Sequence, residues 1–315
     1  MAAGRQFGLN TLRLVPVREG APVSEQSPRN WSQYRTCAIL NQDEACRTIV
    51  AANDAGERIL IHEVSFSSGT PSAVRMRLEY ETAQLASLSL DRMTLPLDFE
   101  FDDGNGRIVC PWTEGRTLAD RMASTDLSVA ETLSIADDVL GALSALHEQG
   151  LVRRCLRPDE IFIEESQGRL RAVIGGYGPL MMLQGLQNAN QAKQIATYAA
   201  PEALGALEED VRASADLYSL GIILFECLTG QTPFQAANAG DLVFHHMTSP
   251  VPDLTSINAQ IPLPLNDIVL RLLQKHPRDR YQSAEGIRFD MCQVQVILEA
   301  EFPQCLVLGL SLIHI

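Results

Sequence analysis

The sequence is poor in the features that identify secreted, membrane-spanning and nucleic-acid-binding proteins. Its first 30 residues have no charged segment followed by an apolar run, so no secretory signal is predicted. No stretch of 18 or more apolar residues occurs, so no complete membrane span is predicted. Basic residues are scarce, with 25 Lys and Arg against 39 Asp and Glu and a formal net charge of -14. An acidic chain repels nucleic-acid phosphates and anionic lipids. We therefore expect no nucleic-acid partner, and a membrane only if a span follows the C-terminus.

The cysteines also argue against several kinds of site. Seven are present, an odd number, and no two form a CxxC pair. This pattern favours neither a disulfide framework nor a zinc site. Mostly buried thiols in a reducing compartment are the simplest interpretation, and we therefore expect a cytoplasmic protein. The apolar run CLVLGLSLI near the C-terminus is open to three interpretations: a short core element, the start of a truncated span, or an artefact at the end of the sequence.

The remaining composition is typical of a globular protein, and its pattern changes along the chain. Hydrophobic residues make up 46 % of the sequence, which is enough for a core. From Tyr34, short β-branched and apolar runs separated by turn residues predict antiparallel strands, with one helix near 73–88 among them. After Trp112 the patterns are mainly helical, and the predicted helices are 117–122, 127–148, 215–228, 265–273 and 283–298. Strands followed by helices favour an α+β fold.

Four segments, in this order, resemble the protein kinase family and in particular the bacterial, eukaryotic-like serine/threonine kinases. They are LSALHEQGLVRRCLRPDEIFI, ATYAAPE, SADLYSLGIILFECLTGQTPF and HPRDRYQSAE. The resemblance covers about residues 34–298 and implies a bilobal α+β fold, with a small antiparallel β lobe plus one helix and a large, mainly helical lobe. The implied boundaries are an N-terminal extension at 1–33, the small lobe at 34–111, the large lobe at 112–298 and an apolar tail at 299–315.

The residues that the family uses for architecture are present. By resemblance, Glu202 pairs with Arg280 inside the large lobe, and such a buried pair is costly to break on one side. Asp216 is expected to accept hydrogen bonds from the backbone of the catalytic loop. Gly221 allows close approach between helices, and Pro158 stiffens the catalytic loop. We interpret all five as structural residues without a chemical role.

The positions that bind ATP in the family carry other residues here. Asn41, Asp43 and Cys46 stand at three glycine positions of the phosphate-binding loop, where glycine lets the backbone approach the phosphates. Asp43 also adds negative charge at that place. Leu60 replaces the usual alanine beside the adenine and is expected to fill the base pocket, and Cys110 stands at another former ATP-site position. We therefore expect no bound cofactor.

His62 stands where the family has the lysine that holds the phosphates. Histidine is shorter than lysine and largely neutral at pH 7 unless its pKa is shifted, so it is a poor substitute for an ammonium group. The glutamate that pairs with this lysine in the family is retained as Glu81. A contact between His62 and Glu81 is one interpretation. A polar pair at the solvent edge is the favoured one, because most polar pairs of this kind are exposed and weak.

The catalytic loop has arginine, leucine and proline at the expected places but lacks the catalytic carboxylate. Cys155 stands at the aspartate position, and a thiol cannot serve as that carboxylate at neutral pH. Arg154 and Arg157 could stabilise a thiolate, but no histidine is predictably adjacent to act as a base, so we expect an inert thiol. Glu160 replaces the metal-binding asparagine, a change that alone still allows Mg²⁺ binding. Arg153 replaces a packing histidine and is expected either to swing out or to pair with an acid.

The family's metal site has also lost its main ligand. Gly176 stands at the position of the metal-binding aspartate and has no side chain to coordinate Mg²⁺. Ile195 stands where a threonine usually contacts the catalytic loop. Together with the changes at the phosphate-binding loop, the lysine and the catalytic aspartate, this removes most of the electrostatic stabilisation that phosphoryl transfer requires. We therefore predict no catalytic residue and no metal site.

These observations favour a pseudokinase, a kinase-like domain without catalysis that works as a protein-binding or allosteric signalling module. Its expected partner is a protein, either an active kinase or a covalently linked regulatory domain. The alternative is a divergent ATP-dependent phospho- or nucleotidyl-transferase, suggested by Glu81, Arg157 and Glu160, and only this alternative requires ATP and Mg²⁺. A structural spacer within a longer polypeptide is a third hypothesis, since a fold alone does not fix a function.

Overall fold

A computed structural model of the chain describes residues 31–42, 46–66, 72–101, 104–166, 169–175 and 189–299. The chain divides into two compact units. The sheet unit comprises the residues up to Ser87 together with Pro96–Trp112, and the helical unit comprises Leu88–Leu95 and the residues from Thr113 onward.

The sheet unit is built on a five-stranded antiparallel sheet with the order β1-β2-β3-β5-β4. Its strands are β1 (Arg35–Gln42), β2 (Cys46–Ala52), β3 (Arg58–Ser65), β4 (Asp98–Phe101) and β5 (Asn105–Pro111). One helix, α1 (Ser72–Ala86), lies between β3 and β4 in the chain. These elements occur where the sequence predicts them, because the β-branched and apolar runs give each strand a face to bury.

The turn between β2 and β3 is fixed by its own side chains. Asn53 accepts hydrogen bonds through Oδ1 from the backbone N–H groups of Ala55 and Glu57, at 3.1 and 2.9 Å. Gly56 adopts a φ of 84°, a conformation that glycine reaches without steric cost. β2 and β3 therefore form a hairpin, in agreement with the antiparallel strands that the turn residues between these runs predict, and its register places Thr48 opposite His62.

The described part of the sheet unit starts at Trp31, although the sequence assigns this residue to an N-terminal extension. Trp31 is buried with Tyr34 and Ile59 in the core of this unit. Its indole Nε1 donates a hydrogen bond to Asp98 Oδ2 at 2.7 Å. A large aromatic ring whose polar atom is satisfied is stable inside a core. Residues 1–30 lie outside the described residues.

The helical unit combines a small antiparallel sheet with most of the helices that the structure describes. The sheet order is β6-β7-β8, with strands β6 (Arg116–Thr117), β7 (Ile161–Ser166) and β8 (Arg169–Ile174). The helices are α2 (Leu118–Ser124), α3 (Val129–His147), α4 (Ala189–Tyr198), α5 (Ala213–Thr229), α6 (Ala239–Thr248), α7 (Leu254–Ile257), α8 (Leu263–Leu272) and α9 (Ala284–Glu299). Among the helices described in both units, none is long and apolar enough to cross a membrane.

Helix α5 forms the centre of the helical unit. Every residue from Ser214 to Phe225 is buried, as expected of a helix that is covered on all sides. A Cβ added to Gly221 would lie 2.8 Å from Leu272 Cβ and 3.0 Å from Leu273 Cδ2. The prediction that this glycine allows close helix approach is therefore confirmed for α5 and α8.

Residues 88–95 belong to the helical unit, whereas the sequence places them in the small lobe. Thr94 donates a backbone hydrogen bond to the carbonyl of Ile174 at 2.8 Å, and Ile174 donates to the carbonyl of Arg92 at 2.9 Å. Met93 also forms a β-bridge with Ile174. The segment is thus paired with the end of β8, a contact across some 80 residues that no local sequence pattern reveals.

Candidate functional site

The segment that resembles the family's catalytic loop, residues 153–160, follows α3 and is anchored by a hydrogen bond to α5. Asp216, which is completely buried, accepts a hydrogen bond through Oδ2 from the backbone N–H of Arg153 at 2.9 Å. The same oxygen lies 2.8 Å from Nε2 of His147 at the end of α3. The predicted role of Asp216 is confirmed. His147 was not anticipated, and its position just before the loop is the only sequence signal that it gives.

A short turn gives the loop its shape. Pro158 is buried at the first position of the 3₁₀ turn Pro158–Glu160, which suits a residue with a fixed φ and no N–H. Glu160 donates its backbone N–H to the carbonyl of Arg157 at 3.0 Å, and its side chain accepts from the N–H of Arg157 at 3.2 Å. Arg154 is buried and has a φ of 70°, which is uncommon for a residue with a side chain. The loop is therefore held in one defined conformation, consistent with the stiffening expected of Pro158.

Cys155 lies inside the protein and not at an open surface. It is 2 % exposed and packs in an apolar cluster with Ile195 and Ala199. Burial raises the pKa of its thiol well above the usual range, and the nearby guanidinium of Arg157 offsets only part of this shift. The thiol therefore stays protonated at neutral pH, and a reactive cysteine requires the thiolate. Ile195, at the position where the family has a threonine, contributes packing in place of a hydrogen-bonding hydroxyl.

Arg153 is buried and pairs with an acid, which was one of its two predicted alternatives. Its Nη2 lies 3.5 Å from Glu160 Oε1 and donates to the carbonyl of Gly175 at 3.2 Å. Nη2 of Arg157 lies 3.5 Å from the same Glu160 oxygen. The carboxylate of Glu160 thus interacts with two guanidinium groups and with the backbone of Arg157. A divalent cation at this carboxylate would either displace the two guanidinium groups or be repelled by their positive charges.

Helix α4 and the turn after it pack against this loop. Tyr198 donates a hydrogen bond from its hydroxyl to Glu226 Oε2 of α5 at 2.9 Å. Thr197 donates its hydroxyl to the carbonyl of Lys193 within α4, at 2.9 Å. The hydroxyl of Thr197 is therefore used inside its own helix, while Ile195 of α4 and Ala199 directly after it pack their apolar side chains against Cys155.

The predicted pair between Glu202 and Arg280 is confirmed and is fully buried. Arg280 Nη1 and Nη2 donate to the two carboxylate oxygens of Glu202 at 2.7 and 3.0 Å, and neither side chain is exposed. Arg280 also donates to the carbonyls of Gln274, Lys275 and Ser214. A buried guanidinium with a bidentate carboxylate and further acceptors has its charge well compensated. This pair ties the turn after α4 to the segment before α9.

In the sheet unit, His62 is buried in the central strand. It is 5 % exposed, its Nδ1 lies 3.1 Å from the hydroxyl of Thr48, and burial lowers its pKa to about 4. Glu81 is 8 % exposed and pairs with Arg77 one turn earlier in α1, at 2.9 Å. The expectation of a solvent-edge pair is therefore wrong for both residues. The reason is that β3 has neighbours on both edges and is covered on both faces, so His62 is neutral at pH 7.

The other former ATP-site positions divide between described and undescribed parts of the chain. Leu60 and Cys110 are buried and lie opposite each other on β3 and β5, and burial raises the pKa of Cys110 to about 12. The backbones of Asn41 and Cys46 belong to β1 and β2. Predictions for their side chains, and all predictions for Asp43 and Gly176, lie outside the described residues. Within the described ranges, no group of three or more His, Cys, Asp or Glu side chains could hold a metal ion.

The sequence of this chain is similar to those of known protein kinases. The family model described as "Protein kinase domain" matches residues 66–290. A probable serine/threonine-protein kinase of Clostridium perfringens is 30 % identical over 220 residues, which cover 70 % of this chain and 32 % of that protein. The serine/threonine-protein kinase PrkC of Bacillus subtilis is 28 % identical over 217 residues, covering 68 % of this chain and 33 % of that protein. The chain thus spans about a third of the length of these curated relatives.

Solved structures give the same fold. The kinase domain of PknI from Mycobacterium tuberculosis aligns with a TM-score of 0.65 at 21 % sequence identity, and the alignment covers 84 % of this chain and 97 % of that one. This likeness supports the α+β protein-kinase-like fold predicted from the sequence, with an antiparallel β unit and a helical unit.

Proposed function

Because the chain belongs to the protein kinase family, we propose that its serine/threonine-kinase-like domain does not transfer phosphate and acts in signalling by binding another protein. The observation that carries this proposal is the state of Glu160, whose carboxylate lies between the guanidinium groups of Arg153 and Arg157. In the family this position helps to hold the metal ion, whereas here the carboxylate is engaged by two guanidinium groups, and that of Arg157 also pairs with Asp159 at 3.2 Å. Cys155, at the position of the catalytic carboxylate, is buried against apolar side chains.

Phosphoryl transfer depends almost entirely on positioning and electrostatic stabilisation. A carboxylate must orient the attacking hydroxyl, and the protonated thiol of Cys155 cannot accept that role. Metal ions must neutralise the charge on the phosphates. Glu160, the carboxylate at a metal-binding position, is already paired with Arg153 and Arg157 and so attracts a metal ion less strongly. A cationic side chain must hold the phosphates, and His62 is neutral at pH 7. On these grounds the residues at the former ATP positions do not fit a Mg²⁺–ATP complex, and no catalytic step is assigned to them.

The second candidate is divergent ATP-dependent phospho- or nucleotidyl-transfer. It is favoured by the names of the relatives, which include PrkC, a serine/threonine-protein kinase, and by the retention of Glu81, Arg157 and Glu160. It requires Glu160 to leave its two arginine partners when metal binds. Glu160 would lose its contacts with Arg153 and Arg157 when it binds a metal ion. The free energy of those contacts is subtracted from that of metal binding, so we expect a low metal affinity.

Nucleotide binding decides between the two candidates. We expect the thermal midpoint of the purified chain to stay unchanged when ATP and Mg²⁺ are added together, whereas a ligand at 100 times its Kd would stabilise the fold by about 2.7 kcal/mol. The kinase domain of PrkC, handled in parallel, is the positive control. Incubation of both proteins with labelled ATP and either Mg²⁺ or Mn²⁺ then tests transfer. Stabilisation that depends on Mg²⁺, together with incorporation of label, would establish the second candidate and overturn the first.

The expected partner is a protein, either an active kinase or a regulatory domain linked to this one, and not a nucleic acid. The net charge of -14 supports the exclusion of nucleic acid. A cytoplasmic location is part of the same proposal and is supported by the unpaired cysteines of the described residues, Cys37, Cys110, Cys155, Cys227 and Cys292.

A further inference from the structure

The helical unit has a surface pocket that the catalytic loop does not line. Its volume is about 320 Å³. The floor is made by Gly141, Ala142 and Ala145 of α3, and their small size creates the hollow. A Cβ added to Gly141 would meet no atom within 4 Å. Around this floor the pocket is lined by three arginines and three aspartates: Arg92, Arg171, Arg288, Asp91, Asp137 and Asp138.

Two of the three aspartates are already held by protein partners. Asp138 accepts from Arg92 through Oδ1 at 2.7 Å and from the backbone N–H of Ala172 through Oδ2 at 2.9 Å. Asp137 accepts from Nε of Arg288 through Oδ1 at 2.8 Å. The third, Asp91, lies at a longer distance of 3.6 Å from Nε of Arg92, and its side chain is 95 % exposed to solvent. The pocket therefore has little free negative charge to offer a cationic ligand.

Two of the arginines have hydrogen-bond donors that the contacts within the pocket do not use. Arg288 uses Nε for Asp137, which leaves the donors of its two terminal amino groups. Arg171 projects from β8, is exposed, and forms no ion pair within the part of the chain that the structure describes. The pocket is neutral by formal charge, whereas the whole chain carries -14, so an anion is repelled less here than at an average surface position.

We propose that this pocket binds a phosphate group through Arg171 and Arg288, with a phosphorylated side chain of a partner protein or free phosphate as its source. Asp137 and Asp138 each accept one guanidinium N–H, from Arg288 and Arg92 respectively. A phosphate offers three acceptor oxygens and is matched to two forks at once. For a protein partner, the inference rests on the proposed function and names the chemistry that the partner would present.

Titration of the full chain with two phosphate probes tests the proposal. The probes are inorganic phosphate, followed by calorimetry, and a fluorescein-labelled five-residue peptide with a central phosphothreonine, followed by anisotropy. We expect both to bind, and R171Q and R288Q each to weaken binding by at least about tenfold, since a hydrogen bond to a charged group contributes about 1.5–3 kcal/mol. G141L should abolish binding by filling the floor without changing any charge. Binding of inorganic phosphate alone would identify free phosphate as the source.

Matched variants separate this site from general electrostatics. Arg212 is an arginine of the same unit that is 77 % exposed and pairs with Asp210, so R212Q removes the same charge outside the pocket and should bind as the wild type does. D137N removes the negative charge that competes with phosphate for Arg288 and should tighten binding. No binding of either probe, an equal loss in R212Q and R171Q, or equal binding of a peptide with glutamate in place of phosphothreonine would overturn the proposal. These results do not depend on ATP, so failure here is distinguishable from failure of the proposed function.

Discussion

Replacing Cys155 by the aspartate that the family has at this position should destabilise the fold and should not create phosphoryl transfer. The thiol is 2 % exposed and packs against Ile195 and Ala199. The new carboxyl would occupy an apolar cluster, and the carboxylates of Glu160 and Asp216 are close enough to raise the pKa of the thiol that it replaces. The guanidinium of Arg157 acts in the opposite direction on this position, but it already interacts with Glu160.

The magnitude follows from burial. An uncompensated charge inside a protein costs about 3–5 kcal/mol, a large part of the 5–15 kcal/mol that typically separates folded from unfolded chains. The cost must depend on pH, because the folded state will favour the neutral carboxyl and so raise its pKa. Below about pH 4 the group is protonated in both states and the charge penalty disappears. Above that pH the penalty grows by about 1.4 kcal/mol per pH unit, until the raised pKa of the folded state is reached.

Urea unfolding of Cys155→Asp, Cys155→Ala and the wild type at pH 5 and pH 8 measures this directly, together with incubation in labelled ATP. Cys155→Ala removes the same sulfur without adding a charge, so its loss should be about 1 kcal/mol and independent of pH. The reasoning fails if the aspartate variant is as stable as the alanine variant at pH 8. It also fails if the difference between these two variants is the same at both pH values.

Four further substitutions test other contacts by urea unfolding. Glu202→Gln leaves the guanidinium of Arg280 buried without its counter-charge and should cost about 3–5 kcal/mol, whereas a loss below about 1 kcal/mol would mean that the pair is not needed. His62 has a pKa of about 4 in the folded protein and 6.5 in the unfolded chain, so the unfolded chain takes up the proton first as the pH falls. Between these two pKa values the wild type should therefore lose up to about 3 kcal/mol of stability relative to His62→Gln. Parallel curves of stability against pH for the two proteins would contradict this. Gly221→Ala should destabilise the fold by about 1–3 kcal/mol, because the added methyl group crowds α8. Gly141→Ala lies in open space on α3 and should stabilise the fold by about 0.5–1 kcal/mol. Equal effects of the two changes would show that close packing between α5 and α8 does not determine the cost at Gly221.

The parts of the fold that could be predicted from the sequence are those with a strong local pattern or a sequence motif. The turn at Asn53 is an example, since its side chain makes the turn bonds itself. Gly221 and the pair between Glu202 and Arg280 were predicted by resemblance, because each stands inside a motif of the family. Helices α4, α6 and α7 were missed: α4 is mostly polar, with alanines on most of its apolar face, α6 carries Gly240 in its first turn, and α7 has only four residues.

The candidate site was harder to predict because its properties depend on contacts between distant residues. The sequence left open whether Arg153 swings out or pairs with an acid, and the pairing with Glu160 depends on the conformation of the turn at Pro158. It also placed His62 at a solvent edge. Burial of that residue depends on the sheet order, which puts β3 between two neighbours, and a single strand does not reveal its own place in a sheet.

Retained and replaced residues differ in what their loss costs the fold. Asp216, Arg280 and Glu202 are buried and charged, and removal of one partner leaves an uncompensated charge, so folding itself requires them. Cys155 and His62 replace groups whose charge serves the chemistry of the family. A buried thiol and a neutral imidazole avoid the desolvation that a carboxylate or an ammonium would suffer at those places. These substitutions are therefore compatible with a stable fold and place uncharged groups where the family has charged ones, and a domain that works by binding, as proposed, requires only the fold.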